Sequence, residues 1–358
     1  MTTSLAPSFA ALTFVALLGS CGADSREPMF GVPPGIVAQR EAGDAPRFSD
    51  WSTPVNLGPM VNFELEDMSP EISRDGLSLY FGRNQGTAGG FIGDIWVSER
   101  PSVDAPWGPA QNVGPMINTT SNENNPALSL DGHGLFFNSD RPGGFGGQDL
   151  YVARRRNKRD NLGWEVPQNL GSAINTAANE TGPAFFEDDA SGTIVMYFVS
   201  NRPGGMGSTD IYSTTLGQDG SFGSVVAVQE LNSAFDDNAP FIRQDGLEIF
   251  FASNRPGSLG STGQLDLWVA TRARTFDPWS TPVNLGPVVN SEFADGGPAL
   301  SSDGTTLYFH SAHRPGSIGA EGRFDLFVTT RERLRGGDAD DNDRDDDDHE
   351  SEGSHRRH

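Results

Sequence analysis

The sequence predicts an all-β fold in which five similar units close into a ring, and three observations support this prediction. The stretch Trp51–Pro59 returns letter for letter at Trp279–Pro287, and looser copies begin at Trp107, Trp164 and Phe222. These copies start 56 to 58 residues apart, and a fixed period of this length is typical of a repeat architecture. The chain holds 44 glycines and 24 prolines with only 35% hydrophobic residues, which favours short strands joined by tight turns. Outside the N-terminus, no long stretch shows the apolar spacing of a helix.

Each unit contains four strand-sized segments in the same order, and the first two are the most regular. The first segment is marked by a proline, and the five prolines are Pro70, Pro126, Pro183, Pro240 and Pro298. An Asp-Gly turn follows in four units, and this dipeptide is a strong hairpin signal. The second segment is apolar at consecutive positions, as in Leu135-Phe-Phe137. Both of its faces are therefore expected to be buried, as in a sheet packed between two similar sheets.

The third and fourth segments complete the unit and predict how the ring closes. The third segment opens with an aspartate in every unit, at Asp94, Asp149, Asp210, Asp266 and Asp325. The fourth is the Trp-x-x-Pro-x-Asn-Leu-Gly segment, with which the repeat begins. Four antiparallel strands repeated around an axis form the blade of a β-propeller. One fourth segment precedes the first proline and none follows the last third segment, so Trp51–Gly58 must complete the blade that begins near Pro298.

These motifs resemble the TolB-type, WD-like β-propeller repeat of bacterial cell-envelope proteins. The residues that carry the resemblance are Asn125–Gly132, Ser139–Gly144, Asp149–Val152 and Trp164–Gly171. The resemblance extends from Trp51 to about Arg333, and it implies a propeller that works in the envelope. Two departures are visible, because Arg83-Asn-Gln-Gly86 replaces Arg-Pro-Gly in the first unit and Phe222 replaces one tryptophan.

The ends of the chain predict export and anchoring. Residues 1–21 read as a signal peptide, because the apolar run Phe9–Leu18 is too short to span a bilayer. The ending Leu18-Gly-Ser-Cys21 resembles the bacterial lipobox, so Cys21 is expected to carry lipid. Residues 22–46 are expected to form a flexible tether, 47–335 the propeller and 336–358 a disordered acidic tail. The protein is therefore predicted to lie at the bacterial outer membrane, facing the periplasm or cell surface, held only through Cys21.

Charge and composition exclude several classes of partner. The formal net charge is −23 and no basic stripe is present, which argues against nucleic acid. The glycine-rich loops lack the Gly-Lys-Ser/Thr of a phosphate cradle. His133, His310 and His313 lie in two repeats without metal spacing, so neither a metal nor a cofactor is predicted. A monomer is expected, with an unknown envelope protein or glycan as partner.

A ring of acids is the main candidate site. An acid stands five residues after an asparagine in every unit, at Asp67, Glu123, Glu180, Asp237 and Asp295. The Arg-Pro-Gly loops of the same face contribute Arg141, Arg202, Arg255 and Arg314. The acids are compatible with a cation site, with a glycosidase carboxylate pair, or with capping of backbone amides in their own loops. Their periodicity favours capping, because a general acid and a nucleophile need different surroundings.

Four third-segment aspartates are expected to pair with the arginine of the preceding turn or to cap amides of that turn, and these are Asp149, Asp210, Asp266 and Asp325. Asp94 has no such arginine and is expected to cap amides. No nucleophile and base pair is visible in the sequence. We therefore expect a non-catalytic binding platform, not an enzyme, with its ligand at the tunnel mouth beside the acids and arginines. A lectin-like propeller with one sugar site per blade and a five-bladed glycosidase are the alternatives.

Overall fold

The structure is a computed structural model that describes residues 46–84, 92–188, 191–217, 219–260, 263–318 and 324–334. All of these lie in the compact unit Arg40–His358. They form 22 β-strands, and no helix occurs within these ranges, so none of them belongs to a helix that could cross a membrane. The predicted signal peptide with Cys21, nearly all of the tether and the acidic tail lie outside the described residues.

Twenty of the strands form five four-stranded antiparallel sheets, which are the blades. The chain starts with β1 (Arg47–Phe48) and β2 (Val55–Asn56). Blade 1 consists of β3 (Glu66–Ile72), β4 (Ser78–Asn84), β5 (Gly93–Glu99) and β6 (Gln111–Asn112). Blade 2 consists of β7 (Glu123–Leu128), β8 (Gly134–Ser139), β9 (Asp149–Arg154) and β10 (Gln168–Asn169). Blade 3 consists of β11 (Glu180–Asp188), β12 (Thr193–Ser200), β13 (Asp210–Leu216) and β14 (Val226–Ala227).

The remaining strands continue the same order and return to the start of the chain. Blade 4 consists of β15 (Asp237–Ile242), β16 (Glu248–Ser253), β17 (Asp266–Thr271) and β18 (Val283–Asn284). Blade 5 contains β19 (Asp295–Leu300), β20 (Thr306–Ala312), β21 (Phe324–Thr330) and, as its outer strand, β2. The last strand, β22 (Arg333–Leu334), pairs with β1 outside the blades. Neighbouring inner strands contact one another around the whole ring, so the fold is the predicted five-bladed β-propeller.

The N-terminal strand closes the ring as predicted. Val55 lies opposite Val328 and Asn56 opposite Phe327, both in antiparallel register with β21. The outer strands pair over only two residues, and in four of the five blades the second of these is an asparagine at which the chain turns away. In blade 5, the amide of Gly58 donates to Oδ1 of Asn56 over 2.8 Å, and Gly58 then takes a φ of 80° that glycine adopts without strain.

The core lies between the blades, where the second strands are covered on both faces. All six residues of β8 and of β16 are buried, as the consecutive apolar pattern predicted. Each second strand contributes a fully buried phenylalanine, and these are Phe81, Phe137, Phe198, Phe251 and Phe309. Burying one such side chain contributes roughly 1.5 to 3 kcal/mol to stability.

The inner strands start earlier than their prolines suggest. Each begins three or four residues before the proline, so the five acids stand at its first or second position. The pairing shifts register just before the proline, where a residue adopts a φ between 49° and 56°. These residues are Ser69, Asn125, Gly182, Ala239 and Gly297. Proline is tolerated here because the inner strand is a sheet edge and needs no further N–H donor.

Two faces follow from this topology. The entry face carries the loops that enter the inner strands, with the acids, and the loops between second and third strands. The turn face carries the turns that leave the inner strands.

Candidate functional site

The five predicted acids of the entry face are closed to solvent. Each is 0% exposed and forms an ion pair with an arginine of its own blade. The pairs are Asp67–Arg83, Glu123–Arg141, Glu180–Arg202, Asp237–Arg255 and Asp295–Arg314. Each acid also accepts the amide of the residue four positions earlier, over 2.6 to 2.8 Å. The capping role is therefore confirmed, and these carboxylates are closed to a ligand while the loops are folded.

Of the two roles expected for the third-strand aspartates, pairing with the loop arginines is not the one observed. The arginines meet the acid of the inner strand and not the aspartate of the third strand. The third-strand aspartate is instead held by amides, because Asp149 accepts the amide of Phe145 and the side-chain amide of Asn169, both over 2.7 Å. The alternative of turn capping is confirmed for this residue. Binding of a partner by the half-buried arginines Arg141, Arg202, Arg255 and Arg314 stays a prediction.

Blade 1 shows which signal could have located the pairs. Arg83 occupies the strand position that holds Ser139 in blade 2, because it lies opposite Asp67 as Ser139 lies opposite Glu123. In blade 1, Arg83 thus takes the place of both the strand serine and the arginine of the Arg-Pro-Gly loop. Burial raises the pKa of Asp67 to about 6, although Arg83 and the amide of Phe63 oppose the shift.

One carboxyl group lies on the propeller axis. The residue after the proline is alanine in three inner strands and phenylalanine in a fourth, but in blade 1 it is Glu71. Oε1 of Glu71 accepts the amide of Leu128 in the neighbouring inner strand over 3.0 Å. Burial raises the pKa of Glu71 to about 8, with that hydrogen bond acting against the shift. The group is therefore mainly protonated at neutral pH, in a cavity of about 60 Å³ lined by all five inner strands.

A larger groove opens beside this axial cavity, on the turn face between blades 2 and 3. Its volume is about 740 Å³. We call it the blade 2–3 groove, and its lining includes Asp131, Phe136, Arg154, Gln168, Phe185, Glu187, Leu216 and Phe222. Arg74, Ser129, Leu130 and Phe185 line both the groove and the axial cavity, so the two adjoin. Glu71 thus lies near the inner end of a concave surface large enough for a small oligosaccharide.

Two further carboxyl groups of the groove differ in their surroundings. Burial disfavours ionisation of Asp131, but hydrogen bonds from Ser129 and the amide of His133 outweigh it and hold the pKa of Asp131 below its ordinary value. The Asp-Gly turns of blades 1, 4 and 5 also have this aspartate, so it is a turn cap. Glu187 is exposed and has no counterpart, because the position four residues after the proline is arginine, leucine, glutamine or serine in the other blades.

Glu71 and Glu187 were missed in the sequence because neither position carries an acid in the other blades. Glu71 departs from the alanine or phenylalanine that follows the proline elsewhere, and this departure was the available signal, whereas the position of Glu187 varies among all five blades. His310 also lies near the axis, where its Nδ1 accepts the amide of Ser69 and burial lowers its pKa to about 3. Within the described ranges, no three or more His, Cys, Asp or Glu side chains are grouped so as to hold a metal ion.

Comparison with solved structures places this fold beside carbohydrate enzymes. An endo-arabinase from Bacteroides thetaiotaomicron is 15% identical with a TM-score of 0.52, and the match covers 81% of this chain and 99% of that one. An α-L-arabinofuranosidase from Podospora anserina, in complex with cellotriose, is 12% identical with a TM-score of 0.51, covering 80% and 98%. A family 62 glycoside hydrolase in complex with xylotriose is 10% identical with a TM-score of 0.50, covering 78% and 97%. Neither a protein-family model nor a curated protein sequence matches the chain.

The expectation of a non-catalytic binding platform that is not an enzyme is wrong on this comparison. Several solved structures that match about four fifths of the chain are glycoside hydrolases. They favour the alternative that the sequence ranked below a platform, a five-bladed glycosidase. Identities of 10 to 16% show the fold alone, so the activity has to be argued from the residues of this chain.

Proposed function

We propose that the protein is a glycoside hydrolase that acts on a glycan in the blade 2–3 groove, with Glu71 as general acid and Glu187 as the second carboxylate. The observation that carries the proposal is the placement of these two residues. Glu71 breaks the repeat directly after its proline, Glu187 stands at a position that varies among the blades, and the two line adjoining parts of one concave surface. The similarity of the fold to glycosidases supports the same class of reaction.

Glycoside hydrolysis requires two carboxyl groups in different protonation states. The acid donates its proton to the glycosidic oxygen as that oxygen leaves the anomeric carbon. The second carboxylate takes a proton from the water whose oxygen adds to the anomeric carbon, or it attacks that carbon itself to form a glycosyl ester. In the latter case water, deprotonated by the first residue, then hydrolyses the ester and releases the sugar. The raised pKa of Glu71 keeps its proton available at neutral pH, whereas Glu187 is exposed to solvent. Because a general acid and a base must differ in protonation state, the two carboxyl groups need different environments, as Glu71 and Glu187 have.

The substrate class that we propose is a pentose-containing glycan. Two of the similar structures are an arabinase and an arabinofuranosidase, and a third holds xylotriose. A groove of about 740 Å³ falls within the usual range of ligand pockets. Its mixture of phenylalanine side chains with Arg154, Gln168 and Glu187 suits a sugar, which has apolar C–H faces and a rim of hydroxyl groups.

Hydrolysis assays test the proposal directly. Residues 47–358 are incubated with arabinan oligosaccharides and with xylotriose, and new reducing ends are measured. Glu71→Gln and Glu187→Gln should each lower kcat at least about 100-fold. The activity of the unsubstituted protein should fall as the pH rises above about 8, because Glu71 then loses its proton. Glu230→Gln, on an exposed residue of the entry face, is the matched control.

Two results would overturn this assignment. If the unsubstituted protein cleaves none of these glycans, the proposed hydrolase activity is refuted. If the Glu71→Gln variant still cleaves them, Glu71 is not the general acid.

We also propose that the protein belongs to the TolB-type envelope repeat proteins and is anchored through Cys21, which lies outside the described residues. The lipobox-like sequence before Cys21 supports the anchor. Acyl chains bind a bilayer by roughly 0.8 kcal/mol for each buried CH₂ group, so several chains suffice. A Cys21→Ser variant expressed in a bacterium should take up no labelled fatty acid, and labelling at the unsubstituted level would refute the anchor.

A further inference from the structure

Four of the five interfaces between blades are closed on the turn face by an arginine stacked on a tryptophan. The guanidinium carbon lies 4.2 to 4.4 Å from the centre of the indole ring in each case. The pairs are Arg100–Trp107, Arg155–Trp164, Arg272–Trp279 and Arg331–Trp51. The Nε of each arginine also donates to a glycine carbonyl in the Asp-Gly turn of its own blade, over 2.6 to 2.8 Å.

The tryptophan of each pair covers an aromatic residue in the second strand of the preceding blade. Trp164 meets Tyr80 edge to face with ring centres 6.2 Å apart, and Trp51 meets Phe250 at the same distance. The arginine and tryptophan together therefore fill the outer part of the space between two blades. Such cation–π contacts contribute roughly 0.5 to 2 kcal/mol each.

Blade 3 lacks both members of the pair. The arginine stands six residues after the third-strand aspartate in the other blades, but the residue six after Asp210 is Leu216. The tryptophan position holds Phe222, which packs against an apolar cluster formed by residues of blades 2 and 3. Leu216 and Phe222 both line the blade 2–3 groove, and so does Phe136, the residue of blade 2 that corresponds to Tyr80. The groove thus lies at the one interface from which the arginine and tryptophan are missing.

We propose that this missing pair creates a saccharide-binding site, in which Leu216 and Phe222 leave room for sugar rings of a neutral oligosaccharide. The inference rests on the proposed hydrolase, because it assigns the place where the glycan lies. Phe185 and Phe222 offer apolar surfaces for the C–H faces of sugar rings, with the buried Phe136 packed against Phe185. Arg154, Gln168 and Glu187 offer groups for the hydroxyls.

The charges of the groove favour a neutral ligand. Two arginines, Arg74 and Arg154, line it together with three acids, Asp131, Glu187 and Asp219. A strongly charged ligand would be repelled either by the arginines or by the acids, whereas a neutral sugar would be repelled by neither. The volume argues for a few sugar rings rather than an extended polymer.

Restoring the missing pair tests the inference. The double variant Leu216→Arg/Phe222→Trp should refill the groove as in the other four interfaces. We expect its binding of xylotriose, measured by calorimetry in the Glu71→Gln background, to weaken at least tenfold, while its melting temperature stays equal or rises. Phe276→Trp changes an exposed phenylalanine of blade 4 outside the groove and should leave binding unchanged.

A second variant keeps the test decisive if the double variant fails to fold. Arg154→Glu/Gln168→Ala alters only exposed side chains of the groove, so the fold should survive. It too should weaken xylotriose binding at least tenfold. Undiminished binding in this variant, or no binding of xylotriose or arabinan oligosaccharides by the Glu71→Gln protein, would overturn the saccharide site.

The outcomes also separate this inference from the hydrolase. If the groove variants lose xylotriose binding but the unsubstituted protein cleaves no glycan, the saccharide site is supported and the hydrolase reaction is rejected. Cleavage that continues at full rate in folded groove variants would support hydrolysis by this protein and reject the groove as the place where the glycan lies.

Discussion

Nε of Arg83 lies 2.6 Å from Oδ1 of Asp67, inside the one blade that has no Arg-Pro-Gly loop. The same guanidinium donates to the carbonyl of Val61 and stacks on Trp96, with 4.5 Å between the guanidinium carbon and the ring centre. Asp67 meanwhile accepts the amide of Phe63. One strand residue therefore ties the entry loop of blade 1 to its sheet, a task that a loop arginine performs in the other blades.

Removing this arginine should destabilise the propeller severely. Arg83→Ala leaves Asp67 buried without a counter-charge, and breaking a buried ion pair from one side costs about 3 to 5 kcal/mol. The free energy of unfolding from urea titrations measures the loss. Arg156→Ala removes an arginine that is 96% exposed and pairs with Glu165 at the surface, so it should cost less than about 1 kcal/mol. Equal losses in the two variants would refute a structural role for the buried pair.

Glu71 should make the protein less stable as the pH rises. The folded state keeps the proton of Glu71 up to about pH 8, whereas the unfolded chain releases it near pH 4.5. The folded state therefore binds more protons between these values, and the free energy of unfolding falls by up to about 1.4 kcal/mol for each pH unit. Arg74 and Arg243 line the same cavity.

Glu71→Gln should remove this part of the pH dependence. Urea titrations at pH 5 and pH 8 should show that the variant gains stability relative to the unsubstituted protein at the higher pH. A constant difference between the two proteins across that interval would show that Glu71 does not bind its proton as described.

Deleting Phe48–Gly58 should abolish cooperative folding. The deletion removes β2 from blade 5, leaves β21 as an open sheet edge and takes Trp51 away from Arg331 and Phe250. Calorimetry and light scattering should show a lost transition and aggregation. Removal of 336–358, which lies outside the described residues, is the control and should leave the transition in place. An unchanged melting curve for the strand deletion would contradict closure of the ring by the N-terminal strand.

The architecture could be predicted from the sequence because it depends on local patterns that recur. A proline, an Asp-Gly turn, an apolar triplet and a tryptophan segment at a period near 57 residues determine the strands and their order. The count of first and fourth segments then determines that Trp51–Gly58 closes the ring, since a blade with an unpaired edge is unfavourable.

The partners of individual side chains required the tertiary structure. The loop arginines precede the third-strand aspartates closely in sequence, yet they pair with inner-strand acids 18 to 22 residues away. Both acids lie near the same loop, and only the fold shows which one faces the guanidinium. The pKa of Glu71 depends on water excluded by all five blades, so no stretch of the chain encodes it alone.

The groove shows the same division. The sequence alone reveals that Phe222 replaces a tryptophan and that Leu216 stands where the other blades have arginine. Only the tertiary structure shows that both replacements fall at one interface and open a cavity next to Glu71. The physical reason is that a void is a property of two blades packed against each other, whereas a repeat pattern describes one blade at a time.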